Sequence, residues 1–161
     1  QAITDLHADR IGHGTFLFDT EMITDPNIHD REAYVEELAQ YIADRRITLE
    51  ICLTSNMQTN PRLSHLENHP FRLMRDRCLS TTFCTDNRTV SSTTVSGEIE
   101  LAFKHLDLTP QDLKRCLIYG FKRSFFPGTY LEKRQYVRRI IDYYEMLESQ
   151  HPQLCAGPTL G

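Results

Sequence analysis

Three short apolar stretches, "RIGH" at 10–13, "ITLEIC" at 47–52 and "STTFCT" at 80–85, each run straight into a polar cluster, and segments of helical spacing separate them. Strands that alternate with helices need crossover connections, which makes their pairing parallel and the fold class α/β. No other feature restricts the chain as much. The alternation places His13, then Ser55 and Asn56, then Asp86 and Asn87 just beyond the carboxyl ends of successive strands, the edge where α/β sheets and barrels bind ligands.

The segments between and after the strands read as follows. Residues 1–8 have helical spacing but no residue upstream to cap them, so they read as a helix entered halfway. A helix over 31–45 puts Tyr34, Val35, Leu38, Ala39 and Ile42 on one face, and "LTSN" after the second strand reads as a loop. A short helix is expected over 71–77. Past the third strand the chain turns helical: Val95, Ile99, Ala102, Phe103 and Leu106 share a face, and Thr109 with Pro110 starts a further helix. Thr129 and Glu132 form a capping box for a long helix over 130–148 that is expected to bury Val137, Ile140, Ile141, Tyr144 and Leu147.

At 161 residues the chain suits one domain, and 18 basic against 22 acidic side chains leave a net charge of -4. That balance supplies no basic field for a nucleic acid or an anionic membrane surface, so a small-molecule partner is expected. The apolar runs are too short for a membrane span and the first residues lack a signal stretch. Five cysteines, widely spaced and without a C-x-x-C, fit reduced thiols and a cytoplasmic location rather than a disulfide framework or a thiolate zinc site.

Within "DRIGHGT" a glycine on each side of His13 lets the main chain turn sharply and another group approach the ring. Glu50 sits mid-strand in "TLEIC" and needs a partner; a hydrogen bond to His13 or to an upstream histidine is expected. His65 and His69 have the i, i+4 spacing of helical metal ligands, but Pro61 and Pro70 crowd them and no glutamate follows the first. Ser55 lacks the G-x-S-x-G setting of a nucleophile and reads as a loop hydrogen-bonding residue.

Taken together, "LHADRIGHGT", "LEICLTSN", the later "NHP" and "FCTDN" resemble, in order and spacing, the carboxyl-terminal half of the adenosine deaminase family. The resemblance implies the carboxyl-terminal part of a (β/α)8 TIM barrel, about strands 6 to 8 with their helices and extra C-terminal helices, over residues 1–148, with 149–161 a flexible tail. It implies hydrolytic deamination of adenosine or a related 6-aminopurine nucleoside, with one Zn²⁺ per complete barrel. His13 matches the family histidine that orients or deprotonates the attacking water, and Asp86 matches its carboxylate metal ligand. Asn87 matches the residue that hydrogen-bonds the purine ring, and Gly12, in the same motif as His13, would line the substrate. Many family members carry aspartate where Asn87 stands, and proline where Leu53 stands; an asparagine amide donates to purine N7 at any pH.

The family's H-x-H and H-A-G-E segments, which supply three histidine ligands and the ring-protonating glutamate, do not occur in these residues. The missing N-terminal half of the barrel is therefore an expected partner, and the 161-residue piece alone is expected to be inactive and prone to associate through open strand edges. AMP or another aminopurine is the alternative substrate. A non-catalytic scaffold that binds without turnover is the contrasting function.

Overall fold

The computed structural model describes residues 2–155. Its sheet has three parallel strands in the order β1 (Arg10–Gly12), β2 (Thr48–Ile51) and β3 (Ser80–Phe83), so β1 and β3 are the outer strands. Between β1 and β2 runs α1 (Arg31–Arg45); α2 (Leu53–Thr59) and α3 (Phe71–Asp76) lie between β2 and β3. After β3 come α4 (Arg88–Ser91), α5 (Val95–His105), α6 (Pro110–Lys122), α7 (Tyr130–Gln150) and α8 (Pro152–Cys155). None of the helices is long and apolar enough to cross a membrane among the described residues.

The strand register explains how the two faces differ. Gly12 pairs with Glu50, Thr48 with Ser80, and Ile51 with Phe83. Alternate residues face opposite sides. Ile11, Leu49, Ile51, Thr81 and Phe83 therefore share one face, and Arg10, Thr48, Glu50, Ser80 and Thr82 the other. The first face meets Ile42 of α1, Phe71 and Met74 of α3, and Leu106 beyond α5 in one apolar cluster, with the Phe71 and Phe83 ring centroids 5.3 Å apart. Each such aliphatic or aromatic side chain contributes ~1.5–3 kcal/mol by leaving water. On the second face polar groups pair with one another: Thr48 Oγ1 lies 2.8 Å from Ser80 Oγ, and Arg10 bonds Glu50.

The helix starts follow local chemistry. Asp30 accepts from Ala33 N–H at the start of α1, and capping boxes from Thr109 with Asp112 and from Thr129 with Glu132 open α6 and α7. The chain also departs from sequence expectation in places. Residues 2–6 form turns and a bend rather than a helix. "LTSN" opens α2 instead of a loop. On α5 the buried stripe is Glu98 and Ala102, while Val95 and Phe103 are exposed. Tyr34 on α1 is likewise exposed, and α7 lies on the surface with only Val137 fully buried; its other expected apolar residues are half-buried. Residues 149 and 150 close α7 and 152–155 form α8; residues 156–161 of the expected tail lie outside the described residues.

Along β3, α6 packs closely enough to require a glycine. Its Cys116 sulfur lies 3.3 Å from Thr81 Oγ1, and a Cβ at Gly120 would sit 2.5 Å from Thr82 Oγ1. Thr82 is short and branched at Cβ, so it cannot swing clear. Gly120→Ala is expected to destabilise by ~1–3 kcal/mol, and much of that loss should disappear when Thr82→Ala is added. Urea denaturation of the single and double variants checks this; a Gly120→Ala protein as stable as its parent would contradict the packing.

Candidate active site

The polar residues at the three strand ends converge. His13 follows β1 in the left-handed region, with φ 62°, and its N–H donates to the Glu50 carbonyl at 2.9 Å. Gly14 turns the chain directly after it at φ 66°, its N–H donating to Gly12 O at 2.8 Å. Asp86, beyond β3, also has a positive φ of 55°. A branched or bulky residue resists this backbone, and holding a non-glycine residue there costs about 1–3 kcal/mol. Histidine and aspartate are among the non-glycine residues that most often adopt it.

Side chains from α2 take up the slack. Ser55 Oγ donates to Asp86 Oδ2 at 2.7 Å, and His13 Nδ1 lies 3.3 Å from Asn56 Oδ1. An imidazole N–H at Nδ1 donates to that oxygen, and in the neutral ring this tautomer keeps the lone pair on Nε2. His13 Nε2 lies 3.8 Å from Asp86 Oδ2. Ser55 and Asn56 are buried, whereas the His13 and Asp86 side chains are 42% and 44% exposed. The arrangement is a rigid buried support beneath two solvent-facing groups, one a base and one a carboxylate.

Asn87 caps α4, its side-chain oxygen accepting from Val90 N–H at 3.2 Å, so its amide NH₂ is the group left to donate. Gly12 is exposed, with nothing within 4 Å of where a Cβ would be. Beside Gly12 and His13 an apolar cavity of about 780 Å³, bordered also by Ile3, Ile11, Leu38 and Asn56, opens at the outer strand β1.

One expectation changes here. Glu50 does not reach the His13 ring; its carboxylate takes Arg10 Nε at 2.5 Å. The register causes this, since Arg10 and Glu50 lie diagonally on one face of neighbouring strands, within reach of a long guanidinium. The link from Glu50 to His13 is through the main chain. His65 and His69 do not form a helical pair, because 65 precedes a short 3-10 turn (Leu66–Asn68) and is exposed while His69 is buried. The His69 Nδ1 accepts Phe71 N–H at 3.1 Å, its Nε2 is buried without a partner among the described residues, and burial pushes its pKa down to about 4.

Sequence reasoning missed two features near the site. One is the thiol pair at the ends of β2 and β3: Cys52, whose Sγ donates to the Glu50 carbonyl at 3.5 Å, is held above the ordinary thiol range by the neighbouring Cys84 and by burial, while Cys52 draws Cys84 below it. The other is Glu98, fully buried, whose carboxylate accepts from Thr54 N–H and Thr93 Oγ1. A carboxylate four residues before buried Ala102 on a helix was the available signal.

A half-exposed carboxylate whose second oxygen, Oδ1, has no partner among the described residues is suited to a hard or borderline cation. Among the described residues there is no cluster of three or more His, Cys, Asp or Glu able to hold a metal. The donor set present therefore fits one ligand position and not a whole zinc site.

Fold and site define an α/β protein with its polar constellation at the carboxyl edge of a parallel sheet. The family model described as adenosine deaminase matches residues 1–143, and the chain belongs to the adenosine deaminase family. It is 36% identical over 128 residues to adenosine deaminase 1 of Streptomyces coelicolor, covering 79% of this chain and 31% of that one. Among solved structures it resembles the N6-methyl-AMP deaminase from Arabidopsis thaliana, with a TM-score of 0.63, 28% identity, and 89% of this chain and 36% of that one covered. It also shares its fold with an amidohydrolase from Burkholderia ambifaria solved with bound Zn, with a TM-score of 0.70, 24% identity, and 92% and 37% covered. The chain spans about a third of the length of the curated relatives it matches.

Proposed function

We propose that residues 1–148 form the carboxyl-terminal part of a (β/α)8 barrel, about strands 6 to 8, that hydrolyses the 6-amino group of adenosine or a related aminopurine nucleoside. The observation that carries this reading is the meeting of His13 Nε2 and Asp86 Oδ2 at 3.8 Å across the carboxyl edge of the sheet. Relatives named adenosine deaminase over 79% of the chain support the substrate class.

In this reading Asp86 is the carboxylate ligand of a zinc ion, and the remaining ligands and the acid that protonates the ring come from the barrel's other strands. Bound Zn²⁺ supplies a nucleophile at neutral pH by lowering the pKa of water from ~15.7 toward ~7. His13 presents Nε2 and, as a neutral ring, would accept or steer the proton of the attacking water. Ser55 fixes the Asp86 carboxylate by donating to Oδ2, which leaves Oδ1 as the oxygen that would hold the metal. Asn87 donates its amide to purine N7, and Gly12 lets the ring approach the end of β1. The free thiols Cys52, Cys78, Cys84 and Cys116 support a cytoplasmic location.

The second reading, a scaffold that associates without turnover, is favoured by the lack of a three-ligand cluster among the described residues. One experiment separates the two. The 161-residue chain and a complete barrel containing it are assayed for zinc and for ammonia release from adenosine, AMP and adenine. We expect stoichiometric zinc and turnover only in the complete barrel, and loss of both in its Asp86→Ala variant. Turnover by the short chain, or none by the complete barrel, would overturn the proposal.

A further inference from the structure

Helix α2 carries both residues that touch the candidate catalytic pair, yet its own start is poorly provided for. The residue at its N-cap, Cys52, makes no side-chain capping hydrogen bond. The first N–H groups of a helix need acceptors, and when buried they cost free energy without one. The acceptor comes from another helix: Glu98 Oε2 on α5 takes Thr54 N–H at 3.2 Å. Its other oxygen, Oε1, takes Thr93 Oγ1 at 2.9 Å. Thr93 lies in the link between α4 and α5, so this single carboxylate ties the start of α2 to the segment that follows Asp86 and Asn87. Glu98 has 0% exposure, and no cation pairs with it among the described residues.

A buried carboxylate is expensive to hold unless its hydrogen bonds are worth more than its lost hydration. A lysine or alanine would serve the outer surface of α5 as well, and a leucine would serve an apolar core. The choice of glutamate makes sense where two donors from separate segments must be fixed relative to each other. The residues directly after Thr54 are Ser55 and Asn56, which reach Asp86 at 2.7 Å and His13 at 3.3 Å.

We infer that Glu98 is a positioning residue for the His13–Asp86 pair: by capping α2 it sets the aim of Ser55 and Asn56, and through them of the carboxylate and the imidazole. The inference rests on the reading of these two groups as the reacting pair. Glu98 itself touches neither substrate nor metal in this scheme.

The test has two arms. Hydrogen exchange read by mass spectrometry on peptides covering 52–59 reports the clamp alone. Glu98→Ala should speed exchange there while peptides of α1 and β2 stay protected, and Thr93→Ala should produce a smaller change. In a complete barrel, Glu98→Ala should lower kcat ~10–100-fold with KM nearly unchanged. Glu98→Gln, which keeps the shape and one acceptor oxygen, should recover much of the rate. Combined with Ser55→Ala, the losses should be markedly less than additive in log kcat, because both act through one carboxylate.

Unchanged exchange in 52–59 for both Glu98 variants would overturn the clamp. Full additivity with Ser55→Ala and Asn56→Ala, or equal loss in KM and kcat, would overturn its role in aiming. If Glu98→Ala fails to fold, Thr93→Ala carries the same readouts with smaller expected changes. Should His13→Ala leave turnover intact, the site reading fails, and the exchange arm still judges the clamp on its own.

Discussion

His13→Ala in a complete barrel is expected to lower kcat by ~10²–10⁴-fold while leaving the fold in place. The loss follows from geometry. His13 Nε2 is the basic atom facing the carboxylate of Asp86, at 3.8 Å, and its other nitrogen is engaged by Asn56. Without the ring, no neutral base among the described residues stands at that position. The fold should hold because the side chain is 42% exposed, and the backbone bond from residue 13 N–H to Glu50 O does not depend on the ring. Steady-state rates, with thermal melting as a control, check both halves. A variant with an unchanged rate would remove His13 from the chemistry, and one that melts far lower would make it a structural residue.

Acid should weaken this fold through His69. Its Nδ1 is committed to the Phe71 N–H, its ring is buried, and burial holds its pKa at about 4 against an ordinary 6.5. The unfolded chain therefore binds this proton first as pH falls. Stability attributable to the neutral ring is fully present above about 6.5, is lost progressively as pH drops toward 4, and changes no further below that. At ~1.36 kcal/mol per unit the loss is about 3 kcal/mol, a large share of a typical domain's margin. Urea titrations from neutral pH to pH ~4 should show this slope in the parent protein. In His69→Gln the protein should be weaker at neutral pH but flatter across that window; parallel slopes would exclude His69 as the source.

The three strands and most helices could be read because their information is local. Apolar runs bounded by polar clusters marked β1, β2 and β3, and Thr109 and Thr129 marked helix starts by their own side chains. His13, Asp86 and Asn87 stood out as candidates for the same reason, since each follows a strand end. Helix α2 was not, because Thr54, Ser55 and Asn56 compete with the backbone for hydrogen bonds and favour loops, and its cap is a carboxylate 44 residues away. The partner of Glu50 was hidden likewise: only the β1–β2 register shows that Arg10 lies within reach. The spacing of residues 1–8 suggested a helix, whereas residues 2–6 form turns and a bend, with Ile3 packed against the core.

The backbone at His13 and Asp86 favours residues other than those present: glycine or asparagine would sit there with less torsional protest. Durability and aim therefore pull in opposite directions at these two positions. A population of variants selected for heat tolerance alone should drift away from histidine and aspartate at exactly the places where a population selected for turnover would retain them.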